Sequence, residues 1–147
     1  MSLQQLPDHS KVWLYQADRP FSTTEKEWVR EVLLKFIQEW AAHGTKLAAA
    51  GEVVGDYHIV LAVDETAHGA SGCSIDTSVR FIKGLGDELG INFFNRLNML
   101  LEIEGKLQLV PFLQLSNYPT AQVFNPMIET LKEWRENWKI PVADLKF

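Results

Sequence analysis

One stretch of the chain gathers the residue types from which a reactive or binding site is most easily built. It runs Asp64-Glu65-Thr66-Ala67-His68-Gly69-Ala70-Ser71-Gly72-Cys73-Ser74-Ile75-Asp76. It leaves the most apolar run in the sequence and enters a helical pattern. Small residues let the backbone come close to a ligand, and a helix start offers unpaired N–H groups with a partial positive charge. An anion there gains about 0.3–1 kcal/mol from the dipole, with hydrogen bonds added. Cys73 near such an end has its thiolate favoured, which is one route to a nucleophile. With Asp64, His68 or Asp76 as its base, Cys73 would make a thiol- or acid/base-dependent enzyme; His43 or His58 could approach in space. As a binding site, the same loop offers Gly69, Ser71, Gly72, Cys73, Ser74 and Asp76. The structural alternative uses the same residues: Ser71 or Ser74 caps the helix, Asp76 answers its dipole, and Cys73 is a small buried hydrophobe.

A ligand at this loop would present a carboxylate, phosphate or carbonyl to the helix N–H groups, since only Arg80 nearby is basic. Asp64 and Asp76 at the rim disfavour highly charged anions, so a neutral or singly charged small molecule is the expected guest. Several known chemistries have no motif here. There is no G-x-x-x-x-G-K-[ST] phosphate loop and no G-x-G-x-x-G after a strand. Gly69 to Cys73 does not match the G-x-S-x-G nucleophile elbow. Four scattered histidines and one cysteine show no metal-ligand spacing, so no metal and no cofactor is expected. His58, in an apolar strand pattern, reads as a satisfied structural histidine.

The elements that must hold the loop follow from periodicity. Val12-Trp13-Leu14-Tyr15 predicts a first strand, ended by Asp18-Arg19-Pro20. Ser22, Thr23 and Thr24 are N-cap candidates, with Ser22 and Glu25, or Thr24 and Glu27, spaced for a capping box. Trp28, Val32, Leu33, Phe36, Ile37 and Trp40 predict a helix over 23–43, with Trp28, Phe36, Ile37 and Trp40 in the core, His43 in the last turn and Gly44 as its stop. Leu47 to Val54 and Tyr57 to Asp64 predict two strands joined through Gly55-Asp56. Ile59 to Val63 is apolar at every position, as for a central strand covered on both faces.

Ile75, Val79, Ile82, Leu85 and Leu89 mark a second helix that ends at Gly90, which puts Cys73 and Ser74 within a turn of its start. Gly84 and Gly86 weaken this helix and leave room for close packing. Leu97, Met99, Leu101 and Ile103 alternate as a strand, Glu104-Gly105-Lys106 turns the chain, and Leu107, Leu109 and Val110 return, with Pro111 marking an end or a sheet edge. Ser116 to Gln122 reads as a loop. Asn125-Pro126 reads as the start of a last helix with Ile128, Leu131, Trp134 and Trp138 on one face, broken by Pro141. The order β-α-β-β-α-β-β-α predicts one α+β domain over 1–147, with residues 1–10 irregular and Met1-Ser2-Leu3 a leader. The sheet is antiparallel or mixed, with helices mainly on one face. The first six elements have the order of a ferredoxin-like βαββαβ core, followed by an extra strand and a C-terminal helix.

Composition agrees with a folded domain: 46% of the 147 residues are hydrophobic and 22% charged, with five tryptophans and eight phenylalanines for a ring-rich core. A net charge of -5 argues against a general nucleic-acid binder. Cys73 is the only cysteine, so no intramolecular disulfide can form, which fits a reducing compartment. Met1 to Ser10 shows no secretory pattern, and the longest apolar run, Ile59 to Val63, is too short to span a bilayer. These features predict a cytoplasmic protein.

At Trp40-Ala41-Ala42-His43-Gly44, at Ile59 to Glu65, and above all at Gly69-Ala70-Ser71-Gly72-Cys73-Ser74-Ile75-Asp76, the chain resembles a family of small bacterial proteins that carry the label "ABC transporter ATPase". The resemblance extends from Val12 to Trp138-Lys139-Ile140-Pro141. It implies a shared cytoplasmic single-domain fold and brings no assigned chemistry. The label requires a phosphate loop, a Walker-B carboxylate and a signature motif, none of which this chain contains, so ABC-type ATP hydrolysis is not expected. The expectation from sequence is therefore a non-enzymatic small-molecule-binding or protein-interaction domain with its site at Gly69–Asp76. Its partners would be a small molecule, a protein or a second copy in a homodimer, and neither nucleic acid nor membrane. The competing reading is the enzyme built on Cys73.

Overall fold

The apolar run Ile59 to Val63 organises the fold. In the structure, a computed structural model that describes residues 2–42, 47–67 and 69–146, it forms the middle of β3 (His58–Asp64), buried at every position but Asp64. His43, Gly44 and His68, on which parts of the sequence reading fall, lie outside the described residues. β3 lies between β1 (Lys11–Gln16) and β2 (Ala48–Val54) in an antiparallel sheet of order β1-β3-β2. Alternation divides its side chains between two faces. Ile59, Leu61 and Val63 join Tyr15, Ala49 and Val53 under α1 (Thr23–Ala42) and α2 (Gly72–Leu89). Val60 and Ala62 join Val12 and Ala50 on the opposite face, covered by Leu3, Leu6, Ile128 and Leu131. This double cover is why β3 shows no polar alternation.

α1 begins with the expected capping box: the Ser22 N–H donates to Glu25 Oε1 and the Glu25 N–H to Ser22 Oγ. Its buried stripe is Val29, Leu33, Ile37 and Trp40, with Val32 and Phe36 at the margin. Trp28, expected in the core, is 36% exposed. At about 100° per residue it falls well off the centre of the Val29, Leu33, Ile37 stripe. Ile37 reaches the sheet because residue 51 has no side chain: a Cβ on Gly51 would stand 3.0 Å from Ile37 Cδ1 and 2.9 Å from Leu61 Cδ2.

β4 (Asn98–Ile103) and β5 (Lys106–Pro111) form the expected hairpin, and Pro111 marks both the end of β5 and a sheet edge. The α+β class and antiparallel pairing are as expected, but there are two sheets. β4 pairs with β5 and with β6 (Gln122–Phe124), and β6 with β7 (Lys139–Pro141), giving the order β5-β4-β6-β7. A ferredoxin-like core would set β4 beside β1, and that arrangement does not form. The start of β1's outer edge is taken by the chain's own later residues: the Val12 N–H donates to Glu129 O at 2.9 Å and the Leu131 N–H to Ser10 O at 3.0 Å.

The last helix starts later than expected. Asn125 Oδ1 accepts from the Met127 N–H at 2.9 Å and makes a turn, while α3 runs only over Leu131–Asn137. Its cap is Thr130, whose Oγ1 accepts from the Glu133 N–H at 3.2 Å. Trp134 and Trp138 are half-buried against the second face, so the two long helices share one face of the first sheet and α3 takes the other. Within residues 2–10 the chain makes one 3-10 turn, Leu3–Gln5, and packs onto the second face. Leu3 and Leu6 are buried, the Leu3 N–H donates to Glu52 Oε2, and Arg135 donates to both leucine carbonyls. Among the described residues no helix is long and apolar enough to cross a membrane.

Candidate functional site

The Asp64 to Asp76 stretch makes the connection from β3 to α2. Ser71 is the N-cap: its Oγ accepts from the Ser74 N–H at 3.1 Å and its carbonyl from the Ile75 N–H at 2.9 Å. Gly72 opens the helix, and Cys73 and Ser74 lie in its first turn as expected. Gly69, Ser71, Gly72, Cys73 and Asp76 are exposed and Ser74 is half-buried. Glu65 closes the loop through Oε2, which accepts from the Ala70 N–H at 2.9 Å. Trp40 of α1 donates its Nε1–H to Ser74 O at 3.0 Å and pins the first turn of α2 to the core.

Among the described residues, none of the acid/base partners considered for Cys73 is hydrogen-bonded to it. Asp64 accepts from the N–H and hydroxyl of Thr66 and pairs with His9 Nε2 at 3.1 Å. The Thr66 hydrogen bonds, with a smaller contribution from His9, hold the Asp64 carboxyl below its ordinary range. Asp76 makes no hydrogen bond to the thiol, His68 lies outside the described residues, and His58 sits at the far end of β3. The alternative of Cys73 as a buried hydrophobe fails, because the residue is exposed. Among the described residues no three His, Cys, Asp or Glu side chains form a group able to hold a metal ion.

A large concavity lies elsewhere, along the outer edge of β1. It is a cleft of about 750 Å³ between two walls, Phe93 to Asn98 on one side and Pro126 to Ile128 on the other. Three asparagine turns shape the walls. Asn92 Oδ1 accepts from the Phe94 N–H at 2.8 Å, Asn95 Oδ1 from the Leu97 N–H at 2.9 Å, and Asn125 Oδ1 from the Met127 N–H. Gly86 allows the first wall to fold back on α2, since a Cβ there would stand 2.4 Å from Ile91 O. Arg19 ties the end of α2 to the start of α1: it is bidentate on Glu25 at 2.9 and 2.8 Å and donates to Leu89 O at 2.6 Å. The guanidinium, and next the Ser22 amide, hold the Glu25 carboxyl down at about 2.

Phe93 is buried, while Phe94 is 40% exposed and stands edge-on to Tyr15 with centroids 5.8 Å apart. Burial pushes the Tyr15 hydroxyl above its ordinary pKa, partly offset by Ser78 and Arg96. Arg96 is the single charged side chain lining the cleft, and among the described residues it makes neither an ion pair nor a hydrogen bond. β1 turns its outer edge to this space. The Val12 N–H points away from β3 to Glu129 O, and strand alternation turns the main chains of Leu14 and Gln16 the same way. Among the described residues those two find no main-chain partner on that side.

Behind the cleft the two sheets meet through polar contacts. Gln16 Nε2 donates to Asn98 O at 3.3 Å, and Gln16 Oε1 lies 3.3 Å from His58 Nε2. An amide oxygen only accepts, so in this contact His58 Nε2 carries a proton. Burial pushes its pKa down to about 3. The rings of Phe124 and Trp138 lie 5.4 and 4.8 Å away, which makes His58 the buried structural histidine expected. Sequence reasoning missed the cleft because its parts are distant in the chain. Its one local signal is the non-periodic pair Phe93-Phe94 followed by Arg96 and set among turn-forming asparagines. In comparisons with known proteins, no family model, curated protein or solved structure matches this chain.

Proposed function

We propose that this is a non-enzymatic ligand-binding domain and that the cleft along β1 is its binding site. The observation that carries the reading is the cleft itself: about 750 Å³, lined mainly by aromatic and aliphatic side chains, with one unpaired cation. Its volume falls in the range of small-ligand sites, about 300–1,000 Å³. Phe94, Phe112 and Met127 are 40%, 42% and 49% exposed around it. Covering such surface is favourable by about 25 cal/mol per Å². The ligand chemistry that fits is an apolar body with one anionic group for Arg96. The enzyme reading has less support, since a catalytic thiol needs a base within reach and Cys73 has none among the described residues. The Gly69–Asp76 loop is the rival location; most of its residues are exposed, and Ser71 and Glu65 already answer the Ser74 and Ala70 amides locally.

Titration with phenylpropionate, followed by amide NMR, tests the reading. Shifts are expected at Trp13 to Gln16, Phe94 to Asn98 and Met127, and Arg96→Ala should weaken binding by about tenfold, the scale of one charge-assisted hydrogen bond. Shifts confined to Gly69–Asp76, with Cys73 protected from alkylation, would move the site to the loop. No saturable shift up to about 10 mM would overturn the reading, because that is weaker than any useful affinity.

A further inference from the structure

The edge of β1 narrows the ligand class, on the reading that the cleft is the binding site. We propose that the cleft takes the C-terminal end of an extended peptide, added as a strand to β1 at Leu14 and Gln16, with its free carboxylate answered by Arg96. Main-chain N–H and C=O groups are obligatory hydrogen-bonding groups, and an open strand edge is a template for another strand. The molecule already uses this edge in that way one step earlier, where Glu129 and Leu131 bridge to Val12 and Ser10. Beyond Val12 that segment leaves the edge, and Leu14 and Gln16 are left facing the cleft.

The walls supply side-chain contacts for such a strand. Tyr15 and Phe94 lie together on the face of β1 under the long helices, while Val12 and Ile128 share the opposite face. Successive side chains of an added strand point to opposite faces, so apolar residues at every second position would fall on one face, against Phe94. A chain end fits better than an internal segment, because the Glu129 to Leu131 bridge blocks the edge at Val12 and a through-running strand would collide with it. Charge selects the C-terminus, since Arg96 is the one charged residue lining the cleft. None of the other edge strands, β2, β5 and β7, lines the cleft, and β5 is poorly suited to strand addition. Leu107 lies open to water there, and Pro111 has no N–H to donate.

The probe is acetyl-Thr-Val-Thr-Val-Thr-Val with a free carboxyl group, titrated against the intact protein alongside its C-terminal amide and a form N-methylated at the central valine. Hydrogen exchange by NMR is expected to slow by about tenfold or more at the Leu14 and Gln16 amides on saturation. The C-terminal amide should bind about tenfold more weakly, and the N-methylated peptide should not bind. Peptide binding that leaves exchange at Leu14 and Gln16 unchanged, or that tolerates N-methylation, would overturn strand addition. Failure of all three peptides while phenylpropionate still saturates the cleft would overturn this inference alone. Failure of both probes would remove the binding reading with it.

Discussion

The Gly69–Asp76 loop and the cleft along β1 present opposite combinations of chemistry and satisfaction. The loop holds a thiol, hydroxyls, carboxylates and a helix start, yet Ser71 caps Ser74, Glu65 holds Ala70 and Thr66 holds Asp64. The cleft is built from common residues, yet among the described residues it leaves an arginine without an ion pair or hydrogen bond and the main chains of Leu14 and Gln16 without a main-chain partner on the outer side of β1. Residue types mark where a site could be made, whereas unsatisfied bonding capacity in a concave space marks where a ligand would gain most.

The largest expected effect breaks the seam behind the cleft. His58 has a folded pKa of about 3 against an ordinary 6.5. The fold favours the neutral ring, so the stability is fully present above 6.5 and is lost as pH falls from 6.5 toward 3. The full loss is on the order of 5 kcal/mol. Denaturant unfolding across that window should show the loss, and His58→Gln should flatten it. An equal slope in the variant would place the acid sensitivity elsewhere. Next is Trp40→Ala, which removes ring contacts to Trp13 and Phe36 and leaves Ser74 O without its donor. It should cost about 3–5 kcal/mol and loosen the loop more than the cleft. An unchanged melting temperature would mean that α1 presents another face to the sheet. Smallest is Gly86→Ala, which forces Ile91 O to move and should cost about 1–3 kcal/mol. It should shift the Phe93 to Asn98 wall and weaken cleft binding while the alkylation rate of Cys73 stays the same. Unaltered binding would separate the wall from that contact.

Much of the fold was legible because each element has its own local pattern. β1, α1, β2, β3, α2 and the β4–β5 hairpin follow from alternation, helical spacing, caps and turns, and so does the position of Cys73 at the start of α2. β6 and β7, at three residues each, are too short to show alternation. Asn125-Pro126 carries the composition of a helix start but satisfies the Met127 N–H, and the working cap is the Thr130 and Glu133 pair. The split into two sheets was illegible because strand partners are chosen at long range: Val12 meets Glu129, not β4. The cleft inherits that difficulty, since β1, the Phe93 to Asn98 segment and Pro126 to Ile128 are ordinary stretches until the fold brings them together.

The cover supplied by α3 has a consequence for the growing chain. The helix-covered face of the first sheet finds its partners between Tyr15 and Phe93, so it can close once α2 and the turn after it have been made. The other face, with Val12, Ala50, Val60 and Ala62, waits for Ile128 and Leu131, and Arg135 reaches back 127 residues to Asp8. Closing so long a loop adds little entropy cost, because that cost grows only with the logarithm of length. The burden is one of time. At about 5–20 residues per second, the ribosome leaves an apolar sheet face open to water for a few seconds while the second sheet is synthesised, an interval in which a chaperone could hold it.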